Sequence, residues 1–110
     1  MNRKYKRPPT LSGPTIKVET GHGTLYVTIN YHKGDWPHPV EIIARMGKAG
    51  GCNGAWLEST TRLASLALQR GTPLQDVIEE LEGVTCCPLT GKNKSPSDAL
   101  AQVLREYQYA

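Results

Sequence analysis

The sequence lacks any long apolar run. No stretch approaches the roughly 20 consecutive apolar residues that a helix needs to cross a bilayer. The basic start, "MNRKYKRPPT", has no apolar stretch behind it, so it does not read as a secretory signal peptide. We therefore expect a cytoplasmic protein without a membrane partner. At 110 residues the chain suits one domain with a modest core, and it leaves little material for a deep catalytic cleft.

Cysteine is scarce as well. Three cysteines, an odd count in a chain without a visible export signal, argue against a disulfide framework. The sequence has no C-x-x-C pair, the close spacing that is typical of zinc sites. Cys86 and Cys87 are adjacent, and adjacent cysteines do not form an ordinary disulfide because its geometry would be strained. Metal ligation, thiol chemistry and simple burial all remain open.

Acidic residues are missing from the start of the chain. Residues 1–7 contain no acid, and they contain four of the 13 basic residues: Arg3, Lys4, Lys6 and Arg7. The remaining 9 basic residues face 10 acidic ones, so the net charge of +3 belongs to this tail. We expect no contact with nucleic acid beyond the tail. Because residues 1–14 also contain three prolines, we predict that they form a disordered lead-in to a domain at residues 15–110.

The first half of the domain has the pattern of strands. "TIKVET" and "LYVTINY" alternate apolar and polar residues with period two, and the "GHG" between them suits a tight hairpin. A third strand is predicted at "VEIIARM", after a turn-rich connection that contains Trp36 and the histidines His32 and His38. We interpret both histidines as exposed, and Trp36 as a core residue.

The second half has the period of helices. From Asn53 a helix with a broad apolar face is predicted to bury Trp56, Leu57, Leu63, Leu66, Ala67 and Leu68. A second helix, capped by Thr72, has the buried stripe Leu74, Val77, Ile78 and Leu81. A third helix is predicted to begin at Ser95, and its residues predicted to face the core are Ala99, Leu100, Val103, Leu104 and Tyr107. Strands followed by helices predict an α+β fold, a short antiparallel β-meander of about three strands with three helices packed on one face.

The glycine-rich turn "GKAGGC" lies between the third strand and the first helix. Backbone amides at such a turn can hold a phosphate, so Lys48, Gly50 and Gly51 are candidate nucleotide- or anion-binding residues. The spacing matches neither the phosphate loop nor the dinucleotide fingerprint. Close packing of the turn against a strand is the alternative.

Cys52 follows this turn at the predicted start of the helix. The positive end of a helix dipole favours a thiolate, so Cys52 is a candidate nucleophile. A nucleophile also needs a base, and the spacing selects none of the three histidines. Burial at a turn is the alternative. A zinc site would have to draw its ligands from separate loops: His22, Cys52, and Cys86 or Cys87.

Four blocks of the sequence resemble a known family. In order, "TGHGTLYVTINY", "ARMGKAGGC", "TRLASLALQRGTPLQDVIEELEGVTCCP" and "SDALAQVL" look like the TSCPD domain. That domain is the C-terminal piece of adenosylcobalamin-dependent ribonucleotide reductases, and it also occurs as a short stand-alone protein. The resemblance runs from about Leu11 to Tyr107.

The resemblance implies a metal or redox cluster. Family cysteines at the hairpin turn, before the first helix and at a Cys-Pro step correspond here to His22, Cys52, and Cys87 or Cys86. Imidazole in place of thiolate is still a competent zinc ligand. Where the family motif has its fourth cysteine, "KSPSDA" has Pro96, so water, His32 or His38 would complete the site. Asp98 matches the closing Asp of the motif and is expected to serve the helix N-terminus.

The resemblance also bears on activity. Ribonucleotide reduction needs a large barrel with an active-site cysteine, a nucleotide site and the cobalamin, and 110 residues hold none of these. We therefore expect no adenosylcobalamin site and no reduction by this chain alone. The expected role is an accessory one, docking on a reductase catalytic subunit or sensing nucleotides or zinc. The alternatives are an independent nucleotide binder and a small thiol enzyme that uses Cys52.

Overall fold

The computed structural model describes residues 6–47, 51–86 and 93–108, with the side chains of residues 51–53 left out. The strands are β1 (Thr15–Thr20), β2 (Gly23–Asn30) and β3 (Glu41–Met46). The helices are α1 (Gly51–Gln69), α2 (Leu74–Leu81) and α3 (Pro96–Tyr107). The strands form one antiparallel sheet in the order β1-β2-β3. This confirms the predicted α+β arrangement. None of the helices in these ranges is long and apolar enough to cross a membrane.

The β1–β2 hairpin is closed by a turn at residues 21 and 22. Thr20 pairs with Gly23, whose φ of 117° is one that L side chains rarely adopt. The Thr20 hydroxyl donates to the Gly23 carbonyl at 2.7 Å and accepts the His22 amide at 3.0 Å. Because successive side chains of a strand point to opposite faces, this register turns Leu25 and Val27 into the core.

Helices α2 and α3 have the buried faces that their periodicity predicts. The stripe of α2 is buried, as are Ala99, Leu100, Val103 and Leu104 of α3, and Tyr107 packs against the core in part. Ser95 caps α3 by accepting the Asp98 amide at 3.0 Å. At α2 the N-cap is Pro73, with no side-chain cap, so the predicted Thr72 cap is wrong.

Helix α1 lies along the free edge of β3. The Ser65 hydroxyl accepts the Ile42 amide at 2.9 Å and donates to the Ile42 carbonyl at 3.1 Å. The Gln69 side chain donates to the Val40 carbonyl at 2.9 Å. Backbone groups of Val40 and Ile42 therefore find partners in α1 side chains, as covered sheet edges require.

Because α1 lies along the sheet edge, some α1 residues that were predicted to be buried are exposed. Leu57 and Leu68 are buried as predicted, together with Thr61, Ala64 and Ser65. The prediction is wrong for Trp56 (73% exposed), Leu63 (66%) and Leu66 (38%). Trp36 is likewise 57% exposed rather than a core residue. Its ring lies 4.6 Å from the Tyr31 ring, and the bond to Pro37 is cis.

The second part of the lead-in contacts the domain. Arg7 donates to both carboxylate oxygens of Glu41, at 2.8 and 3.1 Å. Ser12 pairs with Tyr31 through two backbone bonds, of 3.2 and 2.8 Å. A Cβ on Gly13 would lie 1.6 Å from the Ile29 carbonyl oxygen, so only glycine fits there. Residues 1–5 lie outside the described residues.

Candidate functional site

Two of the predicted metal ligands meet at the hairpin end of the sheet. The Nε2 atom of His22 lies 3.1 Å from the Sγ atom of Cys86, although 64 residues separate them in the sequence. Both residues are exposed to solvent, and Cys86 is a free thiol. A soft sulfur and an imidazole nitrogen therefore lie side by side at the surface, a combination that suits zinc.

The position of Cys86 is set by one carboxylate. Asp98 accepts the Gly83 amide at 2.7 Å with one oxygen and the Lys94 amide at 2.9 Å with the other. The Lys94 carbonyl in turn accepts the Cys86 amide at 3.2 Å. Asp98 thus ties both ends of the α2–α3 connection together, in addition to its place in the first turn of α3.

Asn93 joins this connection to the sheet. Its side-chain amide donates to the Glu19 carbonyl, near the end of β1, at 3.0 Å. Together with the Thr20 contacts in the turn, this bond brings the Cys86 segment beside His22. The sequence patterns do not predict the contacts of Asn93 and Thr20 or the clamping role of Asp98. The only signal for them was that polar residues occupy positions beside the predicted cysteine and hairpin motifs.

The geometry of the pair fits two ligands of one tetrahedral zinc ion. With Zn–N of about 2.0 Å and Zn–S of about 2.3 Å, neighbouring ligand atoms lie about 3.5 Å apart. The 3.1 Å between His22 and Cys86 is close to that separation. Among the residues whose side chains the structure describes, no group of three or more His, Cys, Asp or Glu residues is placed to hold a metal. Further ligands would have to come from other side chains.

The other predicted ligands fall on parts of the chain that are not described. Cys87 lies outside the described residues, and Cys52 lies in the first turn of α1 with its side chain left out. Strand β3 ends at the hairpin end of the sheet, where the Gly47 amide donates to the Thr24 carbonyl at 2.6 Å. The segment from Gly47 to Cys52 therefore starts at the end of the sheet at which His22 and Cys86 meet.

His32 and His38 lie at the far end of the sheet. Strand β2 separates them from His22, and eight residues of strand span roughly 25 Å. His32 pairs with Asp35 at 3.4 Å, and His38 is exposed. Neither histidine can complete a site at the hairpin, so of the three candidates named for the fourth ligand, water, His32 and His38, the two histidines are wrong.

The candidate anion-binding turn is described only at its borders. Lys48 and Gly50 lie outside the described residues, and Gly51 begins α1. The first turn of α1 contains no acidic residue, so nothing there offsets the positive end of the helix dipole.

A second surface feature is apolar. Trp56, Leu63 and Leu66 are exposed on α1, and a groove of about 320 Å³ runs between α1 and α2. Leu63, Ala67, Val77 and Leu81 line the groove, with Asp76 and Glu80 also at it. Neither acid forms an ion pair with a described residue. Exposed apolar residues that cluster in this way mark interaction sites.

The fold and the site thus define a small α+β domain with a thiol–imidazole pair at one end of its sheet. A family model described as the TSCPD domain matches residues 3–108, nearly the whole chain. The chain belongs to the TSCPD domain family, which is associated with ribonucleotide reductases. Comparison with curated proteins and with solved structures finds no significant match.

Proposed function

We propose that this domain has an accessory role in ribonucleotide reduction, is non-catalytic by itself, and binds zinc at the hairpin end of its sheet. The observation that carries the zinc site is the 3.1 Å approach of His22 Nε2 to Cys86 Sγ. Family membership over residues 3–108 supports the link to ribonucleotide reduction. The small size of the α+β domain supports an accessory role for it, because reductase chemistry needs a far larger site.

His22 and Cys86 would supply an imidazole and a thiolate, and Cys52 and Cys87 are the proposed remaining ligands. Bound zinc would act as a structural cross-link between the hairpin and the α2–α3 connection. The chain's own residues prepare this arrangement. Thr20 fixes the hairpin turn, and Asp98 holds the segment that carries Cys86. Ligand formation requires the thiol to lose its proton, so zinc affinity should fall in acid.

Elemental analysis of the purified full chain tests the zinc site. Protein made in zinc-supplemented medium and desalted should contain about one zinc per chain. The variants His22→Ala and Cys86→Ser should each lose most of that metal, because a structural zinc site relies on four protein ligands and each variant lacks one of them. His38→Ala, an exposed histidine at the other end of the sheet, is the matched control and should keep it. Metal-free wild-type protein, or equal loss in all three variants, would contradict the proposal.

The partner proposed for docking is a reductase catalytic subunit, and the surface proposed for it is the groove between α1 and α2. Leu63 lines this groove, and Trp56 lies seven residues before it, on the same side of α1. Both are exposed, and large apolar side chains of this kind dominate binding energy at interfaces. Asp76 and Glu80, which form no ion pair with a described residue, favour a partner helix with an apolar stripe and a basic flank.

Nucleotide or anion binding by Lys48, Gly50 and Gly51 is the second candidate function. The acid-free first turn of α1 favours it, since an anion there would meet unpaired backbone amides. A thermal-shift panel of nucleotides tests it. A shift that Lys48→Ala abolishes and the distant control Lys33→Ala keeps would support binding, and an unshifted panel would exclude it. Nucleophilic chemistry at Cys52 stays a prediction that alkylation of Cys52 would test.

A further inference from the structure

The outer face of the sheet presents an aromatic ring between two cations. In the β-ladder, Tyr26 of β2 is the partner of Lys17 of β1 on one side and of Arg45 of β3 on the other. Neighbouring strands lie about 4.8 Å apart, so the three residues form one short row across the sheet. All three are exposed, with 40% of Tyr26 accessible to solvent.

Neither cation of the row has an acidic partner among the residues that the structure describes. The ion pairs of the described residues include neither Lys17 nor Arg45. The two acids on the same face are engaged elsewhere. Glu19 accepts the Thr24 hydroxyl at 2.9 and 3.1 Å, and Glu41 is paired with Arg7. The charges of the two basic residues are therefore available to an external anion.

The positive charge of this half of the chain lies in its tail. Residues 1–47 have seven basic and three acidic residues, and four of the seven are Arg3, Lys4, Lys6 and Arg7. The other three, Lys17, Lys33 and Arg45, are matched in number by the three acids. The sheet is therefore neutral as a whole, and its outer face is basic only locally, at Lys17 and Arg45. The Arg7–Glu41 pair attaches the basic tail at this face, since Glu41 and Arg45 share it by strand alternation.

We propose that the outer face of the sheet binds single-stranded nucleic acid. One base stacks on Tyr26, and phosphates on either side of that base pair with Lys17 and Arg45. The hydroxyls of Thr15 and Thr28, 2.8 Å apart in the neighbouring row, can hydrogen-bond the backbone. An open face suits a strand that continues past the row, whereas a free nucleotide needs a concave pocket to bury most of its surface. The proposal differs from the expectation that nucleic acid would contact only the basic tail.

Fluorescence anisotropy with the full chain tests the proposal. The probes are labelled 15-nucleotide strands of dT and of U, with a 15-base-pair duplex and unlabelled dTTP as comparison arms. Wild type should bind both strands at low salt and prefer them to the duplex. Tyr26→Ala should bind about 5- to 150-fold more weakly, the range that one stacked base contributes. Tyr26→Phe, which keeps the ring, should bind as wild type does.

Salt dependence separates the row from the tail. Lys17→Gln and Arg45→Gln should each lower the slope of log affinity against log salt by about 0.7, one phosphate contact on a single strand. Lys33→Gln, in the connection at the other end of the sheet, should leave the slope unchanged. A triple variant of Arg3, Lys4 and Lys6 to Gln should weaken binding without removing the effect of Tyr26→Ala.

Four results would overturn the proposal. The first is that neither strand binds at up to about 100 μM protein at low salt, and the second is that Tyr26→Ala leaves the affinities unchanged. The third is equal affinity for strand and duplex, and the fourth is displacement of the strand by an equimolar amount of dTTP. Thermal melting of each variant verifies that it is folded. Because the three row residues are exposed, we expect their substitution to leave the fold intact.

Discussion

At the scale of single residues, Asp98 and Arg7 hold together segments that are distant in the sequence. Asp98 is 7% exposed and bonds the amides of Gly83 and Lys94, so its charge is satisfied inside the protein. Arg7 reaches across 34 residues to Glu41 on the sheet. Neither bond could be predicted from the sequence, because each depends on how separate elements pack. Sequence analysis found the N-terminal position of Asp98 on its helix, and nothing in that position indicates the clamp.

Replacing Asp98 should destabilise the domain. Asp98→Ala leaves two partly buried amides without acceptors, and we expect a loss of about 3 kcal/mol in the free energy of unfolding. Asp98→Asn keeps one carbonyl acceptor and should cost less. Urea denaturation measures both values. Equal losses in the two variants, or a loss below about 0.5 kcal/mol in Asp98→Ala, would show that these bonds do not stabilise the fold.

The Arg7–Glu41 pair predicts a dependence of stability on acid. The hydrogen bond from Arg7 lowers the pKa of Glu41 below its ordinary 4.5, against the opposing effect of burial, and Asn30 adds a second lowering bond. Because the pKa of Glu41 is lower in the folded than in the unfolded state, the contribution of the pair to stability is fully present above the unfolded-state pKa. This contribution is lost as the pH falls through the folded-state pKa. NMR titration should therefore show the Glu41 pKa rising in Arg7→Gln, with less stability lost in acid. The exposed pair of Arg62 and Glu58 supplies the control, since Arg62→Gln should leave the Glu41 titration unchanged.

At the scale of elements, the sequence predicts the buried faces of α2 and α3 and fails for α1, the helix at the sheet edge. The stripe Leu74, Val77, Ile78 and Leu81 is buried in the apolar core, where α2 packs mainly on α3. Helix α1 instead faces backbone groups of β3, which apolar side chains cannot satisfy. The side chains of Ser65 and Gln69 therefore face the β3 edge, and the side chain of Leu63 faces solvent. The Ser65 hydroxyl in the middle of an apolar helix is the sequence signal for this contact.

The role of Ser65 has a direct test. Ser65→Ala removes both partners of the Ile42 backbone, and we expect a loss of about 1–3 kcal/mol in the free energy of unfolding. Native-state hydrogen exchange should show a faster rate for the Ile42 amide in particular. Ser59→Ala, at an exposed position on the same helix, should change the stability by no more than about 0.5 kcal/mol. If the two variants are equally stable, the edge of β3 does not depend on Ser65.

At the scale of the whole molecule, three surfaces with different chemistry lie apart from one another. The thiol–imidazole pair of His22 and Cys86 is at the hairpin end of the sheet, and the Lys17–Tyr26–Arg45 row crosses the outer face. The apolar groove between α1 and α2 belongs to the helical layer, which packs on the inner face. This separation means that a variant on one surface should leave the other two functions intact. The hydrophobic periodicity of the sequence predicted the strands and helices that form these surfaces. The separation of the surfaces follows from the order in which the sheet and helices pack.

The groove supplies the test of docking. Trp56→Ala and Leu63→Ala should each weaken binding to the purified catalytic subunit of the reductase from the same organism by at least 10-fold, because hot-spot truncations cost about 2 kcal/mol or more. Arg62→Ala is the matched control, exposed on the same helix but outside this groove, and should bind as wild type does. Isothermal titration calorimetry measures the affinities, and a negative heat-capacity change would report burial of the apolar face. If the catalytic subunit does not bind, or binds all four proteins equally, the groove is not its docking site. Zinc content unchanged in Leu63→Ala would show that such a loss arises at the groove and not at the hairpin.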